Sequence, residues 1–134
     1  MTGFDLKTDM DGEARTIVSQ DNTAVKYGSG SADVFATPAM VALMEEAAIN
    51  AVDSRLPRGY ATVGTAVDVK HIAATPIGMN VTARAVLTGI DGRKLSFTVE
   101  AFDEQEKIGE GIHRRYIISV DSFREKAAGK SGRI

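Results

Sequence analysis

Cysteine is absent from the 134-residue chain, which excludes a disulfide framework, a thiol nucleophile and zinc–thiolate sites. Two histidines are too few for an all-histidine metal site. An excess of positive charge is missing as well. Net charge is -2 and the isoelectric point about 5.7, against the basic stripe a general nucleic-acid binder needs to neutralise phosphates. No apolar run approaches the ~20 residues that span a bilayer. The N-terminal MTGFDLKTDMDGEAR lacks the basic-then-apolar order of a signal peptide. These absences lead to the expectation of a cytoplasmic protein without membrane or nucleic-acid partners. Internal repeats, heptad arrays and low-complexity tracts are also lacking.

What is present suits one compact domain over residues 1–134, with 43% hydrophobic and 25% charged residues and loose ends expected at 1–11 and 122–134. Residues 34–52, VFATPAMVALMEEAAINAV, form the one long segment with a helical apolar period. At about 100° per residue, Met40, Leu43, Met44, Ala47, Ala48 and Ala51 share one broad stripe, the pattern of a helix buried against a sheet. Thr37 is placed to cap that helix, followed by Pro38 at its first turn, and its end is expected between Asp53 and Pro57. The wheel separates the adjacent glutamates. Glu46 falls among solvated positions, whereas Glu45 falls on an apolar flank, where a carboxylate is costly unless it has a partner or a task.

Strands account for the remainder. Residues 13–19 alternate weakly, and 21–33 have the composition of a loop. Residues 62–74 read as a long β-branched strand with Val63, Thr65, Val67, Val69, His71 and Ala73 on its core face. Its end is set by the Thr75-Pro76-Ile77-Gly78 turn. Residues 81–88 and 94–102 alternate around Ile90-Asp91-Gly92, a hairpin signal, with Leu95, Phe97, Val99 and Ala101 on one face. A turn at 103–106 leads into a last strand over 108–120, where Gly109 and Gly111 point to close backbone approach. His113 and Arg114 are read as surface residues. The order is strand, helix, then four antiparallel strands, an α+β arrangement of one long helix wrapped by a curved antiparallel sheet of five to six strands. Its unpaired edges make a homodimer, or a higher assembly, the economical expectation.

Three blocks, VFATPAMVALME at 34–45, GTAVDVKHIAATPIGM at 64–79, and GRKLSFTVEAFD with IGEGIHRR between 92 and 115, carry a specific resemblance. In order and spacing the chain resembles the fluoroacetyl-CoA thioesterase-like family of the hotdog superfamily over about four-fifths of its length. The resemblance implies hydrolysis of an acyl-CoA thioester, no cofactor beyond the CoA of the substrate, no metal, and a site at a dimer interface. Carried over position by position, it implies Thr37, Glu45 and His71 as catalytic residues, and Gly64 and Arg115 as substrate-binding ones. Glu45 would act as base or nucleophile, His71 would exchange the proton, and Thr37 would position water or substrate. Residues 27–33, YGSGSAD, depart from the fluoroacetate-specialised pattern, with small residues in place of a bulky aromatic lid.

Two other readings stand beside this one. A non-catalytic acyl-CoA-binding hotdog module would have little need of a carboxylate and an imidazole on apolar faces. An enoyl-CoA hydratase would carry an Asp-x-Asn-Pro-x-His-like string, and none occurs. If Thr37 and Glu45 are both helical they lie about 12 Å apart along the axis at 1.5 Å per residue. Either Thr37 folds back from a non-helical start, or one site borrows residues from two subunits. Lys70, Arg84, Arg93 and Lys94 are scattered candidates for CoA phosphates.

Overall fold

The computed structural model describes residues 4–132. Five strands, β1 (Asp11–Ile17), β2 (Tyr60–His71), β3 (Asn80–Asp91), β4 (Lys94–Phe102) and β5 (Lys107–Ser119), form one antiparallel sheet in the order β1-β3-β4-β5-β2. The helix α2 (Thr37–Val52) packs on its concave side, and a 3₁₀ turn, Asp53–Arg55, closes the helix. Two shorter helices complete the chain, α1 (Ala24–Tyr27) and α3 (Val120–Gly129).

The interface follows from side-chain size. Helix α2 buries Ala39, Met40, Leu43, Met44, Ala47, Ala48, Ala51 and Val52, the stripe its period predicts. Opposite it, β3 buries Val81, Ala83, Ala85 and Leu87, and β4 buries Leu95, Phe97, Val99 and Ala101. Alanines on both sides let the layers approach closely. The approach is tightest at two glycines: a Cβ on Gly12 would collide with the α2 backbone at Ala47 and Ala51, and one on Gly109 with the Met40 thioether. The β3–β4 hairpin forms as expected, with Asp91 paired to Lys94 and Gly92 at φ 61° in the turn.

Several local expectations give way. The β2–β5 register shifts between Gly64 and Ala66, and this bulge at Thr65 reverses the side-chain parity of β2. Thr62 and Gly64 therefore lie opposite the buried Ile117 and Arg115, while Val63 lies opposite the exposed Tyr116. Val63 and Thr65 leave the face assigned to them, whereas Val67, Val69 and His71 keep it. The 21–33 loop contains α1, whose N-cap Thr23 accepts a hydrogen bond from the Lys26 N–H and whose C-cap Gly28 has φ 68°. The polar tail is helix α3 rather than a frayed end: Asp121 in its first turn and Lys126 in its last complement the helix dipole, and the Val120 N–H donates to the Gly59 carbonyl. In the lead-in, the Phe4 ring packs edge-on against Tyr60 at 5.6 Å. Of the expected loose ends, residues 1–3 and 133–134 lie outside the described residues.

Candidate active site

Helix α2 begins at Thr37, with Ala36 in the cap position and no side-chain cap. The expected capping role of Thr37 is thereby replaced. Its hydroxyl is instead 2.7 Å from Nδ1 of His71, the last residue of β2 and 34 positions away in sequence. A hydroxyl can donate to or accept from imidazole, so either tautomer of the ring can hold this bond. Burial holds the His71 imidazole below its usual pKa, against a smaller opposing pull from the Ala73 backbone, so the ring is neutral at pH 7. Its other nitrogen, Nε2, is buried without a hydrogen-bond partner among the described residues. An unsatisfied buried polar atom costs about 1–3 kcal/mol, and such atoms mark places where a substrate or water completes the set. The pair borders a groove of about 360 Å³ that Ser29, Val34, Phe35, Ala73 and Ala74 also line.

Glu45 lies two turns further along α2. Its carboxylate Oε2 is 3.4 Å from Arg115 Nη1 and 4.0 Å from His113 Nε2. Its side chain is 37% exposed, so the apolar flank leaves it reachable from solvent while Arg115 supplies the partner. Arg115, only 4% exposed, is fixed by the other end of its guanidinium. Nε donates to Thr62 Oγ1 at 2.8 Å and Nη2 to the Thr62 carbonyl at 2.9 Å. Thr62 in turn donates its hydroxyl to Asp53 Oδ1 at 2.6 Å and its backbone N–H to Oδ2 at 3.1 Å. Burial lowers the Arg115 pKa, and the Asp53 and Glu45 charges oppose that shift. Gly64 faces this cluster, and a Cβ there would collide with the Glu45 carboxylate.

The five candidate residues thus fall into two groups, Thr37 with His71, and Glu45 with Gly64 and Arg115. Within the chain no hydrogen bond or ion pair among the described residues joins them. Thr37 is helical, which removes the fold-back alternative. His113, read as a surface residue, is 1% exposed and central to the second group. Thr62 and Asp53 also escaped notice. Alternation back from Ile117 through Arg115 to His113 was the available signal, since all three share the buried face of β5. Of the basic candidates, Arg84 is held by Asp11 at 2.8 Å and Arg93 lies over the Phe4 and Tyr60 rings at 5.6 Å. Neither lines the Thr37–His71 groove. Among the described residues no three His, Asp or Glu side chains are grouped to hold a metal ion, and no helix is long and apolar enough to cross a membrane.

Residues 18–121 match the family model described as fluoroacetyl-CoA-specific thioesterase. A fluoroacetyl-CoA thioesterase of Streptantibioticus cattleyicolor is 43% identical over 99 residues, covering 74% of this chain and 71% of the relative. The solved structure of the fluoroacetyl-CoA thioesterase FlK superposes with a TM-score of 0.87 at 35% identity, over 93% of this chain and 97% of that one. A hot-dog-like protein from Thermanaerovibrio acidaminovorans, 21% identical, shares the fold with a TM-score of 0.85 over 93% of each chain.

Proposed function

The chain belongs to the fluoroacetyl-CoA-specific thioesterase family, and from that premise we propose that it hydrolyses the thioester of a small acyl-CoA to the free acid and CoA. The observation that carries the proposal is the Thr37–His71 contact, a hydroxyl on an imidazole whose second nitrogen is buried and unpartnered beside an open groove.

Thioester cleavage needs an attacking oxygen, a donor for the oxyanion and a proton for the departing thiolate. In the direct route Glu45 takes a proton from water as the water oxygen bonds to the carbonyl carbon. The C–S bond then breaks with its electron pair on sulfur; the proton that Glu45 took from water passes through the His71 lone pair to the thiolate, so that Glu45 ends as carboxylate and His71 as neutral imidazole. In the covalent route Glu45 attacks the carbonyl, the thiolate leaves, and water opens the resulting anhydride to return Glu45 and release the acid. Both routes need Arg115 to hold Glu45 in place. Thr37 positions the thioester or water, and backbone N–H groups near the helix start or Gly64 stabilise the oxyanion.

The separation of the two groups leads us to a homodimer in which Glu45 of one protomer works beside the Thr37–His71 pair of the partner subunit. Edge strand β2 supports this reading. Val67 shares the concave face with buried His113 yet is 42% exposed, an apolar position that α2 of the same chain leaves uncovered. The 27–33 segment YGSGSAD, which departs from the fluoroacetate-specialised pattern, places Ser29 in the groove wall, so the acyl class is to be read from turnover. Free acyl-CoA as substrate is consistent with work in the cytoplasm, without any other cofactor. Thiol release from a panel of short, branched, aromatic and long acyl-CoAs tests the reading. Turnover of one class supports it, and binding of CoA esters without thiol release would instead make the protein an acyl-CoA-binding module.

A further inference from the structure

Both ring nitrogens of His113 are engaged within the chain. Its Nδ1 is 2.8 Å from the carbonyl of Ala66, the residue following the β2 bulge. A carbonyl only accepts, so Nδ1 carries the proton. Its Nε2 is 3.1 Å from Arg115 Nη1, and a guanidinium only donates, so Nε2 presents its lone pair. Both neighbours therefore select the same neutral tautomer. The ring plane is held from below by Phe97, with centroids 6.2 Å apart and planes 29° from parallel.

That lone pair takes one of the two N–H bonds of Nη1, the guanidinium nitrogen that also reaches Glu45. An unrestrained arginine–carboxylate pair closes to about 2.7–2.9 Å and is often bidentate. Here Nη1 stands 3.4 Å from Oε2 and the pair is single, while Nε and Nη2 are committed to Thr62. Glu45 Oε1 has no hydrogen bond or ion pair among the described residues. Taking the thioesterase reading as its basis, we infer that His113 is a positioning residue: its acceptor nitrogen occupies one of the two Nη1 N–H bonds, so that Glu45 is oriented by the other alone and keeps an oxygen for the reacting atoms. The charged groups facing His113 are Glu45 from α2 and Arg115 from its own strand; β4 presents Phe97, and β2 the Ala66 carbonyl. Burial, aided by the Arg115 charge, lowers the His113 pKa against the pull of the Ala66 carbonyl and Glu45, which keeps the lone pair available at neutral pH.

Two substitutions separate positioning from packing. His113→Phe keeps the ring against Phe97 and removes the acceptor, which frees the second Nη1 N–H and lets Glu45 close on Arg115, itself still held by Thr62. His113→Gln restores an acceptor at the reach of Nε2. For the best acyl-CoA, kcat of His113→Phe should fall by roughly 10- to 100-fold with KM within about 2-fold, the scale of a misplaced catalytic group. His113→Gln should recover most of the loss. ¹⁵N imidazole shifts of the wild type should report a neutral ring protonated at Nδ1, independently of any turnover. Wild-type protein that releases no thiol would overturn the functional reading itself. Wild-type kcat in both variants, or a ring protonated at Nε2, would overturn the role of His113 alone.

Discussion

The Glu45 carboxylate occupies the space that a side chain at Gly64 would fill. Strand β2 and helix α2 thus meet at a point where only glycine leaves room for the acid. Because the colliding atom is the end of a flexible side chain, the fold can accommodate an added methyl by swinging Glu45 aside. Gly64→Ala should cost no more than about 1 kcal/mol in a urea titration and lower kcat by about 100-fold. Equal losses in stability and activity, tracking an unfolded fraction, would show that Gly64 serves the fold alone.

Thr37 makes a contrasting case. A threonine cap lost to alanine costs about 1 kcal/mol, but Thr37 is a helical residue bonded to His71 and caps nothing. Thr37→Ala loses only the hydrogen bond to His71 and should therefore leave the thermal midpoint within about 5 °C, while reducing kcat by 10-fold or more, on the order of a lost acid–base partner. Thr37→Ser keeps the hydroxyl and should retain most of the activity.

Stability should depend on the two histidines between pH 7 and 5. Both have folded-state pKa values below the usual value of 6.5, so the unfolded chain binds more protons in this range. Their contribution is fully present above about pH 6.5 and is lost as pH falls through the depressed folded values. The lowered carboxylates Asp103, Glu104 and Glu110 act at lower pH, in the ordinary carboxylate range. Urea midpoints should decline from pH 7 to pH 5, and the decline should be shallower in His71→Ala. An identical slope in that variant would mean His71 titrates alike in both states.

The core should respond to volume alone. Leu95 and Phe97 are fully buried beneath α2, and truncating Leu95 to alanine should cost about 2–5 kcal/mol, read from chemical denaturation. A cost under about 1 kcal/mol would contradict the packing described.

Much of this architecture is legible in the sequence because each layer has its own period. The 3.6 spacing of Met40, Leu43, Met44 and Ala47 identifies α2, and the alternation of Leu95, Phe97, Val99 and Ala101 identifies β4 and its buried face. What stays hidden depends on contacts distant in sequence. The Thr65 bulge leaves no local mark, so the parity of β2 before it reads wrongly at Val63. His113 follows the alternation of Arg115 and Ile117, but a histidine beside Arg114 and Arg115 looks solvated until the Ala66 carbonyl and the Arg115 guanidinium are seen to satisfy both its nitrogens. Thr37 and Pro38 match a helix-start pattern, and the pattern cannot reveal that the hydroxyl turns to a histidine on another element. Helix α3 was hidden by its polarity, since its formation rests on end charges and alanines rather than an apolar stripe.

Subunit complementation tests the central claim most directly. Glu45→Gln and His71→Ala proteins are prepared separately, unfolded, mixed in equal amounts and refolded, and thiol release from the best acyl-CoA is compared with wild type. Each variant alone should lose at least about 100-fold in kcat. If one site combines Glu45 of one protomer with Thr37 and His71 of the other, half of the mixed dimers are heterodimers and one of their two sites is intact, giving about a quarter of wild-type activity. A mixture as inactive as its components would contradict a site shared between subunits.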